Sequence, residues 1–286
     1  MALATSPDSR TRAQNRLRWE LLAGLIRKDL KVKYQGSVLG FLWSLANPLL
    51  LLIVYTFVFQ VVLKNNVPRF GYFLLSGLLI WNMFTGSVAT ATDAVVGNAG
   101  LVKKVRFPLG VLPLTSVGFH VVHFVLQLGV LLVVMLVTGY TAFIGWHLLL
   151  AIPAVAVALV LTTGLAFLVA ALNVRYRDTK HIVEVVLMAG FWINPIVYSV
   201  SLVSAHLHGA MGVAYYLNPM AGVVVAMQRA IYAKDVGARS GNPVLADPGY
   251  LFYVERLALG GLVSALILLL GVYTYNRLSA DFAEEL

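Results

Sequence analysis

Arg27, Lys28, Lys31 and Lys33 place four cations within seven residues. Such a group can hold an anion through several charge-assisted hydrogen bonds. It can equally do no more than anchor a chain end on one side of a membrane. Other chemistry is scarce. No G-x-x-x-x-G-K-[ST] run occurs, so no loop of that kind cradles the phosphates of a nucleotide. H-E-x-x-H, G-x-S-x-G and paired carboxylates are also missing. Asp29, Asp93, Asp178 and Glu184 are the candidate catalytic carboxylates, and they are unpaired in sequence. His120 and His123 lie one helical turn apart, but third and fourth ligands for a metal are lacking. Packing or hydrogen bonding in an interior is the expectation for both. With no cysteine, disulfides and thiolate chemistry are ruled out.

The elements that must carry these residues are membrane helices. Of 286 residues, 60% are hydrophobic and 12% are charged, about half the roughly 25% charge of a soluble domain. Mean hydropathy is +0.85. No long polar stretch is left to build a second, soluble domain. Runs without Asp, Glu, Lys or Arg cover 34–63, 70–92, 107–174, 185–228 and 257–276. About 20 apolar residues cross the hydrocarbon core. The run 107–174 therefore holds two spans, broken near Gly139, and six are expected in all: 38–63, 70–95, 111–138, 147–172, 182–203 and 255–276. With both ends inside, inner segments carry 15 of the 21 Lys and Arg and outer segments carry six. The positive-inside rule then gives a multi-pass protein, N-in and C-in. No cleavable signal is expected, since thirty polar-rich residues precede the first span. The charge of +9 follows from this topology and calls for no nucleic acid.

Three segments are not simple spans. In 17–33, Trp19, Leu22, Ile26 and Leu30 recur at helical spacing opposite Arg16, Glu20, Arg27 and Lys31, the pattern of an amphipathic helix on a membrane surface. The segment 97–108 joins spans two and three with a short apolar-basic helix that stops at Pro108. Its Leu101, Val102 and Val105 would be wasted in a solvated turn, so docking into a groove of another protein is the expectation. After span five, Asn218-Pro219 starts a helix of about 14 residues. That is too short to cross, and a re-entrant or interfacial pair, 201–217 and 219–232, is expected on the outer side. The region 204–250 as a whole reads as extracytoplasmic, ending in a loop rich in Gly, Pro, Asn and Asp. Asn47-Pro48 and Asn194-Pro195 should each kink a span and free a carbonyl.

Polar side chains cluster on span two at Asn82, Thr85, Ser87, Thr90 and Thr92. In lipid they must face protein or a wet cavity. Asp93 beside them is either a helix-end carboxylate reaching solvent or a cavity-lining group. Aromatic rings are dense, among them Trp43, Tyr55, Trp81, Phe84, Phe191, Trp192 and Tyr198. Rings of this kind build cores and interfacial belts, and they also stack on sugar faces.

The run Arg27-Lys-Asp-Leu-Lys-Val-Lys-Tyr-Gln-Gly-Ser-Val-Leu-Gly-Phe-Leu-Trp-Ser-Leu-Ala-Asn-Pro48 resembles the N-terminal signature of ABC-2 type permeases that export polysaccharides. Arg175-Tyr-Arg-Asp178 and Phe191-Trp-Ile-Asn-Pro195 extend the resemblance, which covers about 18–278. It implies one all-α membrane domain over 1–286, with a surface helix, six spans and outer re-entrant gate helices. It implies a homodimer paired with two copies of a separate ATPase subunit, which would hold the ATP and Mg, leaving this chain without a cofactor or metal. The segment 97–108 would be the coupling helix. Leu101, Val102, Lys103, Lys104, Val105 and Arg106, with Arg175, Arg177 and Asp178, would then make the ATPase contact. The substrate implied is a glycan on a polyprenyl diphosphate, crossing the cytoplasmic membrane. Arg27, Lys28, Lys31 and Lys33 would meet its diphosphate, and the seven aromatics named above would line the glycan path. A composition rich in Ala, Val and Gly, with Arg over Lys, hints at a GC-rich actinobacterium, and for such a source the resemblance implies cell-wall galactan as the glycan.

Three rival classes remain at the level of sequence. A secondary transporter or channel needs intramembrane ionisable residues, which are nearly absent. A membrane glycosyltransferase needs paired carboxylates near the interface. An ABC-2 permease for drugs or lipids would share every feature named here except the glycan.

Overall fold

The computed structural model describes residues 7–37, 42–64, 67–104, 107–207, 209–232, 245 and 249–286. Among these residues the chain is helical throughout, without a strand. The elements are α1 (Pro7–Tyr34), α2 (Leu42–Thr56), α3 (Phe70–Thr92), α4 (Ala99–Lys104), α5 (Val111–Val137), α6 (Ala151–Arg175), α7 (Thr179–Ile193), α8 (Val200–His206), α9 (Gly209–Tyr216), α10 (Pro219–Ile231), α11 (Tyr250–Leu278) and α12 (Phe282–Glu285). Four helices are long and apolar enough to cross a membrane: Phe70–Thr92, Val111–Val137, Trp146–Arg175 and Tyr250–Leu278. A multi-pass membrane protein follows from length and composition alone.

α3 is the central helix. Phe70, Phe73, Leu74, Leu78 and Ile80 are fully buried, and α5, α6, α7 and α10 pack around it. Its hydroxyls need no cavity, because each donates back into its own helix: Thr85 to Trp81 O at 3.0 Å, Ser87 to Met83 O at 2.6 Å, Thr90 to Gly86 O at 2.8 Å and Thr92 to Val88 O at 2.9 Å. This satisfies the donors in an apolar surrounding. α6 and α11 approach backbone to backbone. A Cβ on Gly271 would stand 2.1 Å from Gly164 O, and one on Gly164 would stand 2.6 Å from Leu268 Cα. Between helices in lipid, such small residues supply the close packing that water-driven burial supplies elsewhere.

α5 ends in a Schellman turn. Tyr140 N donates to Met135 O at 2.8 Å and Gly139 N to Leu136 O at 3.0 Å, with Gly139 at φ 73°. A left-handed residue is needed there, and glycine supplies it without strain. The break expected near Gly139 is this turn.

Two elements differ from the sequence expectation. α1 begins at Pro7, ten residues ahead of the expected 17. A proline is tolerated in the first helical turn, and the residues that follow have no apolar stripe to reveal a helix. α7 stops at Ile193, ten residues short of the expected 182–203 span. Asn194 takes an extended ψ of 145°, the conformation forced on a residue before proline. The chain resumes as the short helices α8 and α9 before α10. By contrast α2 runs through Asn47-Pro48 and passes into a π-helical turn, Phe57–Val62.

Candidate functional site

One end of the bundle gathers the basic segments. Val102 of α4 is buried with Val95, Leu112, Ala170, Ala171, Val174, Tyr275 and Phe282 in a single apolar cluster. That cluster ties α4 to the last turn of α6, where Arg175 stands exposed. Leu101 points outward at 37% exposure, and Lys103 and Lys104 are exposed beside it. Arg177 and Asp178 are exposed in the link to α7. Val105 and Arg106 lie outside the described residues. Thus Leu101, Lys103, Lys104, Arg175, Arg177 and Asp178 are each exposed, while Val102 is buried in the cluster beneath α4.

Asp93 fixes a second link at the same end. Lys180 Nζ donates to its Oδ2 at 2.5 Å, and Asn173 Nδ2 to its Oδ1 at 3.2 Å. Asn173 also donates to Thr92 O at 3.0 Å. The Asp93 carboxylate holds the Lys180 ammonium above its ordinary pKa. α3, α6 and α7 are therefore joined through one carboxylate at the polar end.

All four cations of α1 are exposed, but their surroundings differ. Arg27 and Lys31 stand exposed one turn apart. Lys28 lines a cavity against α3 and α5. Lys33 lies with Nζ 5.0 Å from the Phe119 ring centre and 5.9 Å from that of Tyr34, a cation–π arrangement. Burial there lowers its pKa below the ordinary lysine value. Tyr34 and His123 hold this end of α1 to α5, with Tyr34 Oη 2.5 Å from His123 Nε2. His123 Nδ1 donates to Phe119 O at 2.9 Å, which leaves Nε2 as the acceptor. Among the described residues no three His, Cys, Asp or Glu side chains gather to hold a metal.

Five of the seven named aromatics are in ring contact. Tyr55 stacks on Phe191 at 6.0 Å, Trp81 meets Phe191 at 6.4 Å and Phe84 at 5.4 Å, and Trp192 meets Phe191 edge-on at 5.3 Å. Trp81 and Phe84 are buried, while Trp192 is exposed at the end of α7. Trp43 is exposed on α2, and among the described residues no ring contact connects it to this cluster. Tyr198 acts differently: its Oη reaches Trp192 O at 3.0 Å and Ile193 O at 2.8 Å, capping carbonyls at the end of α7.

The break after α7 is held by amides. Asn194 Nδ2 donates to Gly190 O at 2.7 Å. Asn218 Nδ2 donates to Asn194 Oδ1 at 3.0 Å, and its own Oδ1 accepts from Met220 N at 3.1 Å as the cap of α10. Gln228, fully buried, donates from Nε2 to Pro195 O at 2.8 Å. Sequence reasoning passed over Gln228, because 33 residues separate donor and acceptor. A polar residue beside Arg229 in a helix otherwise apolar was the available signal. Gln228→Leu should leave the Pro195 carbonyl without a donor in the interior, at a cost of about 1–3 kcal/mol. Thermal unfolding in detergent measures it, and an unchanged midpoint would show that the contact does not support the break.

A family model of the ABC-2 type transporter matches residues 20–232. The chain is 37% identical over 212 residues to the O-antigen export system permease protein RfbA of Myxococcus xanthus, covering 74% of this chain and 80% of that one. It is 30% identical over 269 residues to the protein of the same name from Klebsiella pneumoniae, covering 94% and 95%. Signature, helical architecture and near full-length match agree, and the chain belongs to the ABC-2 type transporter family.

Proposed function

We propose that the chain is the permease subunit of an ATP-driven exporter of a polyprenyl-diphosphate-linked polysaccharide, with cell-wall galactan the first glycan to test. The match to O-antigen export permeases along nearly the whole length of both chains carries this reading. An ABC-2 permease for drugs or lipids is the alternative class. The working unit is a homodimer with two copies of a separate ATPase, in the cytoplasmic membrane, both chain ends inside. ATP and Mg sit on the ATPase, and this chain is non-hydrolytic. Leu101, Lys103, Lys104, Arg175, Arg177 and Asp178 form the docking face on the permease side. The ring cluster of Tyr55, Trp81, Phe84, Phe191 and Trp192 borders the glycan path, and the α8–α10 segment gates its outer end. ATP binding closes the ATPase pair and shifts the equilibrium of the docked permease toward an open path. In the experiment, the purified chain shows no ATP hydrolysis until its partner subunit is added. Robust hydrolysis by the chain alone would overturn the assignment.

The diphosphate contact is best tested one lysine at a time. Arg27 and Lys31 are free to reach an anion at the membrane surface, whereas Lys33 is engaged with the Phe119 ring. Charge-assisted hydrogen bonds contribute about 1.5–3 kcal/mol when shielded and less when solvated. Lys31→Gln should therefore lower substrate-stimulated ATPase activity by several-fold while the ATPase stays bound. Lys33→Gln should chiefly loosen α1 from α5. Equal, unimpaired export by both variants would move the headgroup to Arg175 and Arg177.

A further inference from the structure

A polar cavity of about 230 Å³ lies where α1, α5 and the end of α3 meet. α1 is seated on α5 closely enough that a Cβ on Gly118 would stand 2.4 Å from Ile26 Cδ1. The cavity beside this contact is lined by Lys28 and Asp29 of α1, Asp93 and Asn98 beyond α3, and Thr115 and Ser116 of α5. Its acceptors and donors are unevenly supplied. Thr115 Oγ1 spends its proton on Val111 O at 2.9 Å. Asn98 Nδ2 donates to Ala94 O at 2.8 Å. Asn98 keeps its second N–H, but what these two side chains can still offer a ligand is otherwise oxygen lone pairs. Asp93 adds a carboxylate whose charge Lys180 already balances. Asp29 adds a second, half-buried and without an ion pair among the described residues. Against these acceptors the lining supplies one cation, Lys28, one uncommitted hydroxyl, Ser116, and the second amide N–H of Asn98.

A ligand that completes this cavity must be rich in donors and carry one anionic group. The geometry points to a zwitterionic amino-phosphate headgroup, its primary ammonium among Asp29, Asp93, Asn98 and Thr115, and its phosphate at Lys28. A primary ammonium brings three donors and no acceptor, which matches the lining. A sugar ring matches less well. Its hydroxyls need donors as well as acceptors, and no aromatic ring faces the cavity for stacking. The position also suits a lipid, since α1 is the surface helix and Leu25 and Leu112 form the apolar part of the lining. This site is separate from the transport reading above, because it concerns a resident lipid and is tested by binding alone.

The full-length chain is purified, equilibrated in mixed micelles with phosphatidylethanolamine, phosphatidylcholine or phosphatidylglycerol of equal acyl chains, and examined by native mass spectrometry. Phosphatidylethanolamine should be retained at least about tenfold over phosphatidylcholine, whose methyl groups remove the three N–H donors. Asp29→Asn, close in shape to the native residue, should abolish that preference. Ser116→Leu, which fills the cavity, should do so independently and decides the matter if Asp29→Asn folds poorly. Equal retention of the two lipids, or a preference that survives both variants, would overturn the site. Preferential retention of phosphatidylglycerol would overturn it as well, since the cavity would then be reading hydroxyls.

Discussion

Gly271→Ala should destabilise the protein more than any other single methyl added to it. The new Cβ would stand 2.1 Å from Gly164 O, a backbone atom that cannot rotate away. Overpacking usually costs about 1–3 kcal/mol when side chains can adjust, and here α6 and α11 must separate along their shared length. A loss of at least about 2 kcal/mol is expected, with Gly271→Leu failing to accumulate in the membrane. Gly129→Ala is the control. It has nothing within 4 Å of its added Cβ, so it should gain up to about 1 kcal/mol from helix propensity. Unfolding of both variants in the same detergent makes the comparison. Equal stability of the two would mean that α6 and α11 are not held by this contact.

Two neighbouring residues should respond in opposite ways to the same substitution. Val102→Asp places a carboxylate inside the cluster of Val95, Val174, Tyr275 and Phe282. No cation lies in that cluster, so the cost is several kcal/mol, of the order of 3–5 for a buried unpaired charge. α4 should come loose from α6 and α12, and both stability and ATPase assembly should fall. Leu101→Asp puts the charge on the outward face, where surface substitutions change stability by only about 0.5 kcal/mol. Folding should persist while the apolar contact with the ATPase is lost. Each 1.4 kcal/mol of lost docking is about tenfold in affinity, so export should drop by an order of magnitude with the permease intact. A Leu101→Asp variant that folds and exports normally would make the 97–108 segment a plain loop.

The helices were legible because charge is excluded from lipid. Runs free of Asp, Glu, Lys and Arg coincide with α3, hold α5 and all but the last residue of α6, and cover α11 except its first seven and last two residues. Leu101 and Val102 stood out as apolar residues in a basic loop, but their division into an outward and a buried side depends on Phe282. That side chain is fully buried, in a four-residue helix that follows a polar turn, and no periodicity announces so short an element. Gly164 and Gly271 were illegible for a similar reason. Each sits in an ordinary apolar helix, and only the crossing of the two shows why neither bears a side chain. The cations of α1 were visible as a group, while the cavity beside Lys28 and the ring beside Lys33 follow from how α1 sits on α5. The interruption after Ile193 was foreshadowed by Asn194-Pro195, but the amides that stabilise it come from 24 and 33 residues away.

That interruption also bears on the membrane itself. α7 has 15 residues, a rise of about 22 Å at 1.5 Å each. The hydrocarbon core is roughly 30 Å thick. Beyond Ile193 the chain turns inward, where Ile196 and Val197 are buried by protein, so lipid meets no further apolar surface from this helix. Trp192 is exposed at that end, and an indole there prefers the level of the headgroups. Were α7 to stand in the bilayer on its own, its shortfall would be met by thinning of the lipid beside it or by packing against neighbouring helices. In the first case a large polar molecule passing along that flank would have several ångströms less hydrocarbon to cross.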